Sequence, residues 1–196
     1  MARPKSFIPE EALEKAMHVF WDHGYEATSV QHLTEAMGIN RFSLYDTFGD
    51  KHALFLQALD LYFNHVGAST MARIRDSAED GAINAIERFL NMVVENAHDD
   101  EHNCRCLYQR AATELAPTDP EVRQRIERLF ERLHDTYVEV LRLARTQGEL
   151  AEGVRIPDAA WSLVILQAGI TALDAAPPPA RAGKGAIRAV LAPLRA

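Results

Sequence analysis

Four cysteine and histidine side chains lie close together near the middle of the chain and could bind a metal. His98, His102, Cys104 and Cys106 flank three acidic residues at positions 99–101. Thiolate and imidazole are ligands that zinc and copper favour. Their spacing matches no established metal signature, and a polar loop between two helices would carry the same residues. A metal or redox site and an ordinary loop therefore both stay open.

The sequence shows none of the common catalytic patterns. It lacks a Ser-His-Asp order, paired carboxylates in tuned surroundings, a Walker loop and a glycine-rich dinucleotide motif. The helical histidines His18, His65 and His134 suit the edges of a core better than catalysis. The two cysteines, one residue apart, are poorly spaced for a disulfide. Enzymatic activity is therefore a weak alternative, and no cofactor is expected.

Length and composition set the broad class of protein. The chain has 196 residues, of which 47% are hydrophobic and 25% charged, and its formal charge is -7. This is enough apolar material for one or two globular domains. No apolar run approaches the ~20 residues of a membrane span, and the first residues lack the apolar stretch of a secretory signal. We therefore expect a soluble cytoplasmic protein, and the negative charge argues against one that coats nucleic acid.

Apolar residues repeat with helical spacing almost throughout, and no segment alternates with the period of two that marks a strand. Proline, glycine and capping residues mark the ends of the helices. The sequence therefore predicts an all-α fold of about nine helices, at residues 9–23, 30–37, 41–48, 51–75, 80–97, 104–115, 119–147, 157–174 and 183–195.

Two of these helices, at 30–37 and 41–48, are very short. Thr28 has the spacing to cap the first, with Gln31 reaching back to complete a capping box, and Asn40 can cap the second. A turn built on Gly38 joins them. This is the layout of a helix-turn-helix, whose second helix enters the DNA major groove. An ordinary helix pair in a bundle has the same spacing, so the layout alone leaves both interpretations open.

Three motifs in the first part of the chain indicate a family. They are Gly24-Tyr25-Glu26-Ala27-Thr28-Ser29-Val30, Ala36-Met37-Gly38-Ile39 and Ser43-Leu44-Tyr45-Asp46-Thr47-Phe48-Gly49-Asp50-Lys51. Together they closely resemble the N-terminal domain of TetR-family transcriptional regulators. Arg3-Pro4-Lys5 is similar to the basic arm of that family. The rest of the chain resembles the family mainly in its length and helical character.

The resemblance implies a two-domain regulator that is not an enzyme. Residues 1–50 would form a three-helix, helix-turn-helix domain that binds DNA, and residues 51–196 a larger helical bundle for effector binding and dimerisation. The homodimer would repress from a pseudopalindromic operator in double-stranded DNA and leave it when a small apolar effector binds. A helical carrier or enzyme that retains the fold without using DNA is the alternative. Arg41, Lys51 and Gly38 favour the regulator.

The resemblance also assigns roles to side chains of the DNA-binding domain. Those that would contact phosphates, and so position the protein without reading sequence, are Thr28, Ser29, Tyr45 and Lys51. Those that would face the major groove are Asn40, Arg41, Ser43 and Thr47. Gln31 could reach a base edge or a phosphate. Arg41 is the strongest candidate for base reading, because a guanidinium donates to both O6 and N7 of guanine.

Apolar and acidic residues of the same domain complicate this prediction. Phe42, Leu44 and Phe48 are expected in the core, although the Phe42 ring could instead pack on a thymine methyl. Residues 1–51 contain five Lys or Arg against eight Asp or Glu. We therefore expect DNA binding to depend less on counterion release than it does in a strongly basic domain. Whether Asp46 and Asp50 cap helices or weaken binding stays open.

Bulky side chains on the inner helices of the larger part are candidates for an effector cavity, although each suits simple core packing at least as well. They are Tyr62, Phe89, Met92, Val93, Tyr108 and Trp161. The helix at 157–174 is apolar almost all round and must be covered on every side. We expect it to pack partly on a second subunit, together with residues of the last helix, which are Ile187, Val190, Leu191 and Leu194.

Overall fold

Helices make up the architecture of the protein. The computed structural model describes residues 7–76, 78, 81–97, 106–173 and 178–196. The α-helices in these ranges are α1 (Pro9–His23), α2 (Val30–Met37), α3 (Arg41–Phe48), α4 (Lys51–Tyr62), α5 (Ala68–Asp76), α6 (Ala82–Asn96), α7 (Leu107–Glu114), α8 (Pro120–Thr146), α9 (Ile156–Ala172) and α10 (Ala180–Leu191). The same ranges contain no strand beyond an isolated bridge, so the predicted all-α fold is confirmed. No helix among them is long and apolar enough to cross a bilayer.

The first three helices share a core with the start of α4. Phe20 of α1 is fully buried and meets the Phe55 ring of α4 edge-on, with 4.9 Å between ring centroids. Leu33 of α2 and Leu44 of α3 are also fully buried. Helices of eight residues are too short to be stable alone, so this core holds them. The boundary predicted after residue 50 stays a prediction, because α4 also packs on α7 and α8.

The helix predicted as continuous over residues 51–75 contains a π-turn. Phe63–Gly67 forms this turn between α4 and α5. Gly67 suits the site because a β-carbon there would lie only 3.1 Å from the Phe63 ring. A π-turn holds more residues than an α-helical turn, so a pattern that tests only for a 3.6-residue period does not reveal it. Such turns are frequent at functional sites.

The larger part of the chain is a bundle in which α8 packs on α9, and α10 packs on α6. Tyr137 of α8 is fully buried, and its hydroxyl donates to Gln167 Oε1 of α9 at 2.7 Å. Burial raises the pKa of the Tyr137 phenol above its ordinary value, so the group stays neutral. The hydrogen bond satisfies a polar atom inside the core and fixes α8 against α9.

One prediction about subunit contacts needs correction. Leu191 and Leu194 are only 1% and 8% exposed, and Ile187 is fully buried, so these residues belong to the core of their own subunit. Val190 is half-buried. In contrast, α9 leaves an apolar side open within the subunit, because Ile165 is 69% exposed, and the prediction that a second subunit covers part of this helix stays a prediction. The subunit therefore leaves an apolar face open on α9 rather than on the inner side of α10.

Candidate nucleic-acid interface

Helix α2 begins at a capping box that lies one residue later than predicted. The Ser29 hydroxyl accepts from the His32 backbone N–H at 3.1 Å, and His32 Nδ1 accepts from the Ser29 N–H at 3.4 Å. Thr28 is buried, and its hydroxyl donates to the Gly24 carbonyl at 2.6 Å. The predicted box of Thr28 and Gln31 is therefore wrong, because Thr28 turns inward to the end of α1. The same burial removes the Thr28 hydroxyl from contact with phosphates.

The turn between α2 and α3 is fixed by backbone conformation and a cap. Gly38 has φ 69° and ψ 30°, and its N–H bonds back to the carbonyls of Glu35 and Thr34. This left-handed conformation is the reason for glycine, since other side chains are strained there. The Asn40 side-chain oxygen caps α3 by accepting from the Ser43 N–H at 2.8 Å. The predicted Asn40 cap is confirmed, and it engages the oxygen that would otherwise face a base.

Helix α3 presents an exposed surface formed by Arg41, Phe42 and Tyr45. Phe42 is 78% exposed, so the prediction that it lies in the core is wrong. Leu44 and Phe48 are buried as predicted and take the inward side of the helix. A short helix buries one side only, and residue 42 lies outside that side. The geometry favours the other possibility for Phe42, a ring available to pack on a thymine methyl.

Thr47 and Lys51 lie at the far end of this surface. The Thr47 hydroxyl oxygen is buried and has no hydrogen-bond partner among the described residues, so the prediction that it faces the groove is not supported by its orientation. Asp50 caps α4 by accepting from the Ala53 N–H at 2.7 Å. The Lys51 ammonium lies 4.1 Å from the centre of the Tyr25 ring. Lys51 thus holds a defined position beside a helix N-terminus, where phosphates are favoured.

Acidic residues near the surface differ in their surroundings. Glu35 of α2 accepts a hydrogen bond from Gln31 Nε2 at 2.9 Å, which places the Gln31 amide along the exposed side of its helix. Asp46 is an exposed residue of α3. Of the two carboxylates that the sequence left open, Asp50 is a cap, while Asp46 brings a negative charge to the recognition helix.

Directed hydrogen bonds join this region to α7. The Glu114 carboxylate accepts from the backbone N–H groups of Tyr25 and Glu26, at 2.8 and 3.3 Å. Gly24 has φ 80°, and a β-carbon there would overlap the same carboxylate. Arg110 of α7 donates to a carbonyl in the last turn of α1 at 3.1 Å. Helix α7 therefore holds the turn that connects α1 to α2.

A second link joins α4 to the start of α8. His52 Nε2 and Asp119 Oδ2 are 2.5 Å apart, and Asp119 Oδ1 caps α8 by accepting from the N–H groups of Glu121 and Val122. Burial acts to raise the pKa of Asp119, but the hydrogen bonds from His52 and from these N–H groups outweigh it and lower that pKa. The ionised carboxylate therefore stabilises the fold above the carboxyl pKa of the unfolded chain, and this contribution is lost as the pH falls.

The six residues predicted to form an effector cavity do not surround one space. Those on α6, at positions 89, 92 and 93, are buried or half-buried. The rings of Tyr62 and Tyr108 are neighbours, 5.9 Å apart. Trp161 is on the surface of α9 and stacks on His134 at 4.6 Å. Tyr108 lines a cavity of about 260 Å³ between α4 and α8, which makes it the candidate best placed to meet a ligand.

Three of the four residues in the cysteine and histidine cluster lie outside the described part of the chain. His98, His102 and Cys104 lie outside the described residues. Cys106 is half-buried and lies just before α7. Within the described ranges, no group of three His, Cys, Asp or Glu side chains could hold a metal. The metal or redox interpretation therefore stays a prediction.

Two short capped helices, a left-handed glycine between them and an exposed second helix define a helix-turn-helix DNA-binding protein. The family model described as bacterial regulatory proteins, tetR family, matches residues 12–58. A second model, described as tetracyclin repressor-like, C-terminal domain, matches residues 82–189. The chain belongs to the TetR family of bacterial transcription regulators.

Individual relatives support this assignment. The uncharacterized HTH-type transcriptional regulator YezE of Bacillus subtilis (strain 168) is 37% identical over 150 residues, which are 76% of each chain. The HTH-type transcriptional repressor ComR of Escherichia coli (strain K12) is 46% identical over 72 residues, 37% of this chain and 34% of ComR. The structure of the TetR-family regulator CifR with 26-bp double-strand operator DNA matches with a TM-score of 0.80 and 28% identity, over 97% of this chain and 98% of CifR. Family membership thus confirms a DNA-binding transcription regulator rather than an enzyme.

Proposed function

We propose that the chain is a ligand-responsive repressor that binds a pseudopalindromic operator as a homodimer and places α3 in the major groove. The observation that carries this proposal is the exposed surface of α3, where Arg41, Phe42 and Tyr45 project from a helix held by its Asn40 cap. A recognition helix of eight residues is long enough to present its first two turns to base edges.

Base reading is proposed for the first turn of α3. The Arg41 guanidinium donates to the O6 and N7 atoms of a guanine, and the Phe42 ring packs on a thymine methyl. Ser43, which is half-buried, lies at the edge of this contact. Asn40 caps the helix instead of reading bases, and the buried Thr47 hydroxyl does not face the groove.

Phosphate contacts are proposed on either side of the groove. Ser29 lies exposed at the start of α2, Tyr45 is exposed on α3, and Lys51 begins α4. The hydroxyls and the single positive charge suit phosphate oxygens, and the N-termini of α2 and α4 add their partial positive charge. Gln31 is exposed in the first turn of α2 and extends the same contact.

A second subunit is proposed to cover the apolar face of α9. A cavity of about 330 Å³ lies between α9, α10 and the end of α6, and its lining is apolar or small, including Ile165, Ile170 and Gly183. Exposed apolar surfaces of this kind mark interfaces, and a twofold dimer would use the same face of both subunits. The two recognition helices would then meet half-sites about 34 Å apart, or a multiple of that distance.

Release from DNA is proposed to follow from effector binding in the bundle. Glu114 of α7 and Asp119 at the start of α8 bond directly to the helix-turn-helix region, so a shift of α7 and α8 moves the DNA-reading helices. The effector must bind the DNA-incompetent arrangement more tightly. A typical difference of about 1–3 kcal/mol lowers operator affinity about 5- to 150-fold.

Selection of bound sequences from a random pool of double-stranded DNA tests the proposal. We expect an inverted repeat whose half-site centres lie about 10 base pairs apart, or a multiple of that spacing. The matched control for Arg41→Ala is Arg142→Ala, which removes the same charge from an exposed position on α8. Arg41→Ala should change the recovered motif and Arg142→Ala should not. A pool without any enriched motif would refute the proposal.

A further inference from the structure

A cationic cavity of about 260 Å³ lies where the π-turn faces α8. Phe63 and Asn64 of the π-turn form one wall. Arg125, Arg128 and Arg132 of α8 form the opposite wall, because residues spaced by three and four positions share one face of a helix. Three arginines against the single carboxylate of Asp60 give the lining of this cavity a net positive charge, opposite to the negative charge of the chain as a whole.

The three guanidinium groups of this cavity are held in different ways. Arg125 donates two hydrogen bonds to the Asp60 carboxylate of α4, both at 3.1 Å. Arg128 donates to a carbonyl of its own helix at 3.3 Å, and Arg132 lies 4.8 Å from the centre of the Phe63 ring. Among the described residues, no carboxylate forms an ion pair with Arg128 or Arg132. These two groups are available to an incoming anion.

An apolar cavity of about 50 Å³ adjoins the cationic cavity. Tyr108 and Leu129 line both of them, and Leu133 and Val164 continue the lining of the inner one. The Tyr108 hydroxyl donates to the Leu59 carbonyl at 3.3 Å. Burial, followed by the nearby Asp60 charge, raises the pKa of this phenol above its ordinary value, so it adds no negative charge. Tyr108 and Leu129 thus lie between the charged cavity and the smaller, mainly apolar one.

We propose that these cavities bind a small aromatic carboxylate. Its carboxylate lies on Arg128 and Arg132, and its ring lies against Phe63 and Leu129. The planar guanidinium fork matches a carboxylate with two parallel hydrogen bonds, which a compact ammonium group does not. The effector expected from sequence, an apolar small molecule, thereby acquires an anionic end. Binding stands on this geometry alone, and only its effect on DNA rests on the proposed function.

Asp60 connects the cationic cavity to the DNA-reading helices. An incoming carboxylate has the same charge as Asp60, which lines the same cavity, so the two anions repel each other. Asp60 lies on α4, which begins at Lys51 on the DNA side. Ligand binding therefore favours an arrangement in which this part of α4 separates from α8. That movement alters the position of Lys51 and of the adjoining α3.

Isothermal titration calorimetry on the full-length protein tests the site without DNA. The probes are sodium benzoate, its neutral analogue benzamide, and inorganic phosphate. We expect saturable benzoate binding that weakens about 10- to 100-fold in Arg128→Gln and in Arg132→Gln, because each change removes a charged hydrogen bond. Arg142→Gln, on the exposed side of the same helix, is the matched control and should bind as the unchanged protein does. Arg128 bonds only within its own helix in the described part, so its replacement leaves the fold intact.

Three results would overturn the site. They are the absence of saturable benzoate binding, equal affinity for benzoate and benzamide, and equal benzoate affinity in Arg128→Gln and Arg142→Gln. Tighter binding of phosphate than of benzoate would overturn the assignment to a carboxylate. A separate titration of the selected operator, with and without benzoate, tests the coupling. Benzoate that binds in the calorimeter and leaves operator affinity unchanged would overturn the coupling through Asp60 while the site itself stands.

Discussion

The helix-turn-helix region and the larger bundle differ in how their helices begin. Helices α2, α3 and α4 each start at a side-chain cap, supplied by Ser29, Asn40 and Asp50. In the bundle, α8 is capped by Asp119, and the first N–H groups of α6 bond to side-chain oxygens of the distant Gln147 and Glu149, whereas α7, α9 and α10, like α1, start without a side-chain cap. A cap fixes a helix end by local chemistry, and an uncapped helix is placed by burial against its neighbours. The starts of α2, α3 and α4 are therefore fixed by residues adjacent in the sequence, and most helices of the bundle are placed by contacts with distant residues.

This difference suits a protein in which a ligand-binding bundle controls a DNA-binding helix-turn-helix region. Helices α2 and α3 keep their conformation when the bundle moves, because their caps come from adjacent residues. A shift in the bundle therefore changes the position of α3 without changing the conformation of that helix. The Glu114 hydrogen bonds and the contact between His52 and Asp119 are the points where such a shift is passed on. This interpretation is wrong if the removal of these contacts leaves the operator affinity of the helix-turn-helix region unchanged.

The largest expected loss of stability comes from Gly24→Ala, at the contact between the helix-turn-helix region and α7. Gly24→Ala places a β-carbon against the Glu114 carboxylate and puts a side chain on a backbone with φ 80° and ψ 179°. We expect the free energy of unfolding to fall by about 3 kcal/mol, because the backbone strain costs about 1–3 kcal/mol and the displaced Glu114 carboxylate loses its hydrogen bonds from Tyr25 and Glu26. Urea unfolding followed by circular dichroism measures the loss.

Gly148→Ala is the matched control for Gly24→Ala. Gly148 has φ 76°, and no described atom outside its neighbours lies within 4 Å of a β-carbon built there. Its replacement should therefore show backbone strain alone, about 1–2 kcal/mol. Equal losses in the two variants would mean that the contact between Gly24 and Glu114 adds nothing, and that the helix-turn-helix region is independent of α7.

A substitution on the exposed apolar face of α9 tests whether this face forms the dimer interface. Ile165→Asp should convert the dimer to a monomer, with a loss of about 2 kcal/mol or more in association free energy, because a charge cannot be buried unpaired in an interface. Light scattering measures the mass. Leu143→Asp, at another exposed leucine on α8, is the control and should stay dimeric. Leu191→Asp should unfold the subunit instead, since Leu191 is in its core. A dimeric Ile165→Asp protein would place the interface elsewhere.

The helix-turn-helix region should divide its contacts between bases and phosphates. Arg41→Ala should lose about 10- to 100-fold in discrimination between the selected operator and a scrambled duplex, because a bidentate base contact carries about 1–3 kcal/mol. Lys51→Ala should weaken both duplexes alike and lower the slope of log affinity against log salt by about 1. Mobility shifts at several salt concentrations measure both. Arg41 would lose its role in base reading if its replacement weakened the two duplexes equally.

Capping and turn residues in the sequence predict where the helices of the helix-turn-helix region begin and end. They do not predict which side chains are buried, because burial depends on packing between helices. The bounds of α1 and α3 are as predicted, because Pro9, Asn40 and the glycines after each helix act on their own neighbours in the chain. Thr28 and Phe42 were misplaced, because the side of a short helix that is buried depends on α1 and α4. The cationic cavity is even harder to predict from the sequence. Its arginines have a readable spacing on α8, but only the fold places a π-turn opposite them.

The smallest expected effect separates two roles of Ser29. Ser29→Ala removes the cap of α2 and should lower the free energy of unfolding by about 1 kcal/mol. Ser29→Asp keeps a cap, since aspartate serves as well as serine there, but it brings a negative charge to the DNA side. We expect the aspartate variant to unfold within about 0.5 kcal/mol of the unchanged protein and to lose more operator affinity than the alanine variant. Urea unfolding and mobility shifts measure the two effects. A Ser29→Asp protein with full operator affinity would place Ser29 away from the phosphates. A Ser29→Ala protein as stable as the unchanged protein would mean that Thr28, the residue that the sequence pattern favours, caps α2.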